Sequence, residues 1–141
     1  MKFPPNIPVY GDQKFRDVCP TESREQISFF NKLRKEYPDT WGRIAIHPRN
    51  EQLVVGGQFR GVIKHKAEGM TPGASDIVIP GSPPLVCELK RKNHTLSTWQ
   101  AGQIEYLEAA QSLGAFACIA LGAEGAWDAF EDYLRLYYGE K

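Results

Sequence analysis

A chain of 141 residues has the size of one domain that can bury its own core without disulfide or metal staples. Its 42% apolar and 24% charged residues exclude a disordered or low-complexity chain. Lysine plus arginine and aspartate plus glutamate balance at 17 each, which excludes a protein that grips nucleic acid through bulk positive charge; any such contact has to be local, through patches or bound metal.

Residues 1–20 read as an extended arm, because Pro4, Pro5, Pro8 and Gly11 interrupt every period, and the domain proper is set at 21–141. The first residues hold no apolar run fit for a secretory signal or membrane span, so a cytoplasmic protein is expected. A first helix begins at Thr21, a good N-cap, with Glu22 and Glu25 where the dipole favours negative charge and Pro38 just beyond the end. Its apolar face is read as Ile27, Phe29, Phe30, Leu33 and Tyr37. RIAIH, residues 43–47, reads as a short strand, followed by a loop with paired glycines over 48–57. Residues 58–67 space Phe59, Val62 and Ile63 like a short helix stopped by Gly69. Two strands follow, SDIVIP over 75–80 and LVCELK over 85–90, joined by the turn-forming GSPP as an antiparallel hairpin. Ser97 and Gln100 make a capping box for a helix that runs to Leu113 and stops at Gly114. FACIAL, residues 116–121, reads as a buried strand, and a last helix runs from about Ala123 to Tyr138. This order of elements predicts an α/β fold, a mixed β-sheet flanked by helices. Cys19, Cys87 and Cys118 form no CxxC pair and read as reduced thiols, the latter two in the core.

The chemistry gathers on the hairpin. Strand side chains alternate faces, and a turn symmetric about Ser82 sets Asp76 directly opposite Glu88. Cross-strand Cβ atoms lie roughly 5 Å apart, where two like charges repel and a cation relieves them. Carboxylate oxygens suit Mg²⁺ or Mn²⁺, and Lys90, on the face of Glu88, adds a second positive charge beside a phosphate. A third acid from the first helix is either Glu22 or Glu25. At ~100° per residue Glu22 lies roughly 55° from the centre of the apolar stripe and Glu25 roughly 115°, so Glu22 is the better aimed and Glu25 reads as solvated. Gln26 falls near the middle of that apolar stripe and is a candidate site neighbour.

Asp, a gap, then Glu-x-Lys at a strand end, with a helical Glu upstream, resembles the PD-(D/E)xK nuclease superfamily. TESREQ at 21–26, PGASD at 72–76, CELK at 87–90 and LSTWQ at 96–100 narrow the resemblance to its VRR-NUC family, over about residues 21–133. Ser75 stands where many relatives carry proline before the aspartate. The resemblance implies a restriction-endonuclease-like sheet, with Glu22, Asp76, Glu88 and Lys90 as the metal and catalytic set. It counts Leu89 with the metal ligands and makes Gln100 a supporting catalytic glutamine, although Gln100 reads equally well as half of a capping box. The small stand-alone relatives, often from phages, resemble Holliday-junction resolvases that work as homodimers. The expectation is thus a Mg²⁺- or Mn²⁺-dependent endonuclease for branched DNA, active in the host cytoplasm if phage-encoded, with no membrane and no nucleotide cofactor. A nuclease for ends, flaps or single strands is the alternative. So is a catalytically silent DNA-binding or assembly protein, against which the intact acidic set argues, since a pure binder gains phosphate affinity by discarding carboxylates.

Arg60, Lys64 and Lys66 read as a local DNA-facing patch over an ordinary solvated helix face, and Arg91 and Lys92 extend the basic strand end. His47 is weighed as a general base or DNA contact, but its place at a strand end favours a structural or surface role. His65 and His94 read as surface residues. Trp99 and Trp127 read as packing residues over base-stacking ones.

Overall fold

In the computed structural model residues 1–48, 64 and 66–139 are described. Thr21 opens the first helix, α1, Glu22–Glu36: its hydroxyl accepts from the Arg24 N–H at 3.3 Å, with acids in the first turn and Arg34 and Lys35 in the last. Phe29, Phe30 and Leu33 are buried on one stripe. Ile27, expected on that stripe, is 57% exposed, because it lies roughly 115° from the centre those three residues define.

The strand expected over 43–47 is largely replaced by a helical turn, α2, Trp41–Ile44. Gly42 sets this. A Cβ there would meet the Arg34 Cα and the Tyr37 carbonyl oxygen at 2.7 Å, and the Gly42 N–H donates to that oxygen, so the chain lies against the end of α1 in a helical turn. Of the expected strand, only Ile46 pairs, in an isolated antiparallel bridge with Val78. All but Pro48 of the loop expected over 48–57, and most of the helix expected over 58–67, with Arg60 and His65, lie outside the described residues. Lys64 and Lys66 are helical and exposed.

The sheet runs β1–β4–β3–β2, built from β1 (Val9–Tyr10), β2 (Ile77–Ile79), β3 (Leu85–Lys90) and β4 (Phe116–Leu121). β2 and β3 form the antiparallel hairpin, with Ile77 opposite Cys87, Val78 opposite Val86 and Ile79 opposite Leu85. That is the register symmetric about Ser82. β3 and β4 are parallel and are linked by the crossover helix α3 (Gln103–Ser112). Alternation along β3 sends Leu85, Cys87 and Leu89 into a core shared with α1 and the last helix, α4 (Gly122–Tyr138). Val86 goes to the other face, with Leu107 of α3 and Ile7. Glu88 and Lys90 share the face of Val86 by the same alternation. Cys87 and Cys118 are buried and adjacent across β3 and β4.

Two further expectations change. Residues 1–20, set apart as an arm, supply β1, which lies parallel to β4 at the sheet edge, and Ile7, which is 3% exposed. And α3 begins at Gln103 behind Gly102 at φ +88°, with no side-chain cap, so Ser97 and Gln100 do not form its capping box. Asn93 instead caps a 3-10 turn, His94–Leu96, accepting from the Thr95 N–H at 3.2 Å. No helix among the described residues is long and apolar enough to cross a membrane.

Candidate active site

Asp76 sits one residue before β2, where the main-chain ladder ends, and its carboxylate extends the pairing: Oδ2 accepts from the Leu89 N–H at 2.8 Å. Continued by one residue, the hairpin register puts Asp76 opposite Glu88. Glu88 has no solvent exposure. Its Oε1 accepts from Gln103 Nε2 at 2.8 Å and lies 3.8 Å from the Lys90 ammonium, while Oε2 is buried with no donor. Burial and the neighbouring Asp76 carboxyl push the Glu88 carboxyl up to about 10, against the pull of Lys90. A proton or a cation would satisfy that oxygen. Two carboxylates with an orphan oxygen between strands are donors that suit a hard divalent ion.

Lys90, 1% exposed, donates to the Thr98 carbonyl at 2.8 Å and to Gln103 Oε1 at 2.9 Å, and its ammonium lies 4.6 Å from the centre of the Trp99 ring. Gln103 therefore joins the lysine to the glutamate through the two ends of one amide. This residue was missed in the sequence. The signal for it was present, since it opens the helical period that continues through Tyr106, Leu107 and Ala110, but the Ser97–Gln100 spacing sets the helix start five residues too early. Gln100 is exposed; its N–H donates to Gln103 Oε1 and its side chain reaches Thr98 Oγ1 at 3.4 Å, so it does not touch the carboxylates. Pro72 and Gly73 of the PGASD segment hold the helix start in place: Gly73 has φ +82°, and any Cβ on it would collide with the Gly102 backbone.

Glu22, at the first position of α1, accepts from the Ser97 hydroxyl at 2.7 Å, and its charge is one of those that raise Glu88. Glu25 is occupied elsewhere, its Oε2 accepting from the Ala123 N–H at 2.9 Å at the start of α4. It is a helix cap for a different helix, not a solvated residue. Among the described residues, no three His, Cys, Asp or Glu side chains gather into a ready metal cage. The pair Asp76 and Glu88 is the nucleus, with Glu22 flanking it.

No protein-family model matches the chain, and no curated protein sequence does. Among solved structures, one titled "VRR_NUC domain protein" superposes with a TM-score of 0.68 over 86% of this chain and 93% of that one, at 19% identity. The chain has the VRR-NUC fold. Within it, the hairpin and helix motifs of the sequence occupy one end of the central sheet, where β2, β3 and the start of α3 meet.

The remaining sequence candidates are placed around that VRR-NUC core. Leu89 buries its side chain and contributes its N–H to Asp76. Arg91 donates to the carbonyls of Cys19 at 2.7 Å and Pro20 at 3.1 Å, which ties it to the N-terminal segment instead of turning it outward. Lys92 lies 3.7 Å from Glu124 and over the Phe15 ring. His94, expected on the surface, is 5% exposed; Nε2 donates to the Gln13 carbonyl and the ring packs edge-on against Phe3. His47 Nδ1 donates to the Asp76 carbonyl at 2.8 Å, and Gln26 lines a shallow cavity beside it.

Proposed function

We propose that this protein is a divalent-metal-dependent nuclease that hydrolyses DNA phosphodiesters, with Asp76 and Glu88 holding Mg²⁺ or Mn²⁺ and Glu22 completing the acidic set. The buried, donorless Oε2 of Glu88 opposite Asp76 carries this reading. A position that served packing alone would carry an apolar side chain, because a buried carboxylate oxygen without a donor costs free energy even when its twin accepts from Gln103. An ion bound there would supply Lewis-acid charge at the scissile phosphate.

The chain's own residues supply the rest. Lys90 holds a fixed positive charge 3.8 Å from Glu88, positioned by Gln103 and Thr98, so it requires little reorganisation as charge develops on the phosphate. Gln103 keeps the Glu88 carboxylate oriented through Oε1, leaving Oε2 for the cation. Exposed Lys64 and Lys66 are the described basic residues of the proposed DNA patch.

For the substrate, the proposal follows the sequence resemblance: branched DNA such as a four-way junction, cut by a homodimer. Purified protein is incubated with four-way junction, flap, single-stranded and linear duplex DNA in Mg²⁺, Mn²⁺ or EDTA. Paired symmetric nicks on the junction, dependent on metal and lost in Asp76→Ala and Glu88→Ala, support the full proposal. Trimming from ends selects the alternative nuclease. Cutting in EDTA, or undiminished cutting by either variant, sinks the mechanism, and junction binding without cleavage under any metal means a silent binder.

A further inference from the structure

The Asp76 carboxylate works only if its main chain is held at the end of β2, and the ladder that holds β2 stops there. Ile46 and Val78 exchange both main-chain hydrogen bonds, at 2.8 and 2.9 Å. In an antiparallel ladder the next such pair lies two residues on, which here is Pro48 with Asp76. Pro48 has no N–H to give. The Asp76 carbonyl would lose its donor at the very residue that carries the site. His47, next to the proline, supplies one from its ring: Nδ1 lies 2.8 Å from the Asp76 oxygen. A carbonyl oxygen can only accept, so Nδ1 is the donor.

We propose that His47 is a positioning residue: its ring N–H replaces the main-chain donor that Pro48 lacks, and thereby fixes Asp76 in register with Glu88 for metal binding. Asp76 is then held at two points, its carbonyl by His47 and its carboxylate by the Leu89 N–H. Outer partners of metal-binding groups are worth about ten- to a hundredfold in metal affinity. The proposal rests on the metal-binding reading of Asp76 and Glu88. It differs from a general-base role for His47, because it asks only for a hydrogen-bond donor at Nδ1.

The test compares the full chain with His47→Leu, His47→Asn and the double variant His47→Leu/Pro48→Ala. Mn²⁺ affinity is read by titration calorimetry without DNA, kcat and KM on DNA in excess metal, and Tm in EDTA. His47→Leu is expected to weaken Mn²⁺ binding and lower kcat about tenfold each, with KM for DNA within about twofold. His47→Asn, whose amide donates from the place of Nδ1 but cannot act as a base, restores both to within about threefold. Pro48→Ala returns the main-chain N–H and restores Mn²⁺ affinity in the double variant. The EDTA Tm values confirm that each variant is folded; if His47→Leu alone unfolds, His47→Asn and the double variant carry the comparison, Mn²⁺ affinity within about threefold of wild type in both supporting the proposal and a loss of about tenfold in either overturning it. Mn²⁺ affinity unchanged in a folded His47→Leu, or His47→Asn as impaired as His47→Leu, overturns the proposal. A wild-type protein that binds Mn²⁺ but cuts no DNA would remove the nuclease reading while the affinity comparison still decides the role of His47; one that binds no Mn²⁺ removes both.

Discussion

Glu88 keeps its proton far above the ordinary carboxylate range because it is buried against Asp76, so the folded metal-free chain binds a proton that the unfolded chain has already released. Stability in EDTA is therefore full below the ordinary carboxylate range and is lost as pH rises toward about 10. Thermal melts in EDTA from about pH 5 to about pH 9 should show a falling Tm, and Glu88→Gln, which needs no proton, should melt on the order of 5 °C above wild type at the alkaline end while abolishing cutting. A Tm that rises with pH would contradict a Glu88 carboxyl held protonated by burial against Asp76. Gln103 gives a second residue-scale prediction: Gln103→Ala should lower kcat about tenfold or more, whereas Gln100→Ala stays within about twofold, read from initial rates at saturating DNA. Asp76 and Glu88 were legible in the sequence because a symmetric turn converts spacing into register. Gln103 was not, because the Ser97–Gln100 spacing marks a helix start without showing that Gly102, at positive φ five residues beyond Ser97, is the actual entry point.

At the scale of elements, β3, β4, α1 and α4 follow the sequence closely, since each combines a continuous period with a clear stop or cap. The segment 43–47 does not, although its alternation of Ile44 and Ile46 suits a strand. The decisive contact is distant in sequence: α2 forms where Gly42 meets the end of α1, and no local pattern announces that approach. Gly42→Ala should thus destabilise the protein by about 1–3 kcal/mol, through forced movement of α2 against α1, measured by urea unfolding with an unchanged m-value. The Ile46 bridge to Val78 hangs from α2, so the same variant should also weaken Mn²⁺ binding. His47 reads from the sequence as a structural or surface residue; its contact is structural, and its importance comes from which carbonyl it holds.

Across the whole molecule, the N-terminal segment is part of the machinery's support. It supplies β1, the Trp99 indole donates to the Lys2 carbonyl at 2.8 Å, and Arg91 reaches the carbonyls of residues 19 and 20. The prolines that broke every period in the sequence do not prevent a two-residue strand, which needs no period. Deleting residues 1–12 should lower Tm on the order of 10 °C and reduce cutting, by exposing the edge of β4 and freeing Trp99 from beside Lys90; a deletion variant as stable and active as the full chain would restore a separable arm. Since Arg91 and Lys92 are engaged within the chain, DNA affinity at zero net charge should fall with salt on a shallow log–log slope set by few phosphate contacts. The enclosure of Lys90 has a consequence for chemistry done on the protein by others. With 1% exposure and its ammonium donating to two oxygens, Lys90 is a poor nucleophile toward acylating reagents while the fold stands. In a timed acetylation read by mass spectrometry it should be among the last amines to react, after exposed Lys64 and Lys66, and its sudden labelling during heating or truncation would time the collapse of the site directly, without any substrate.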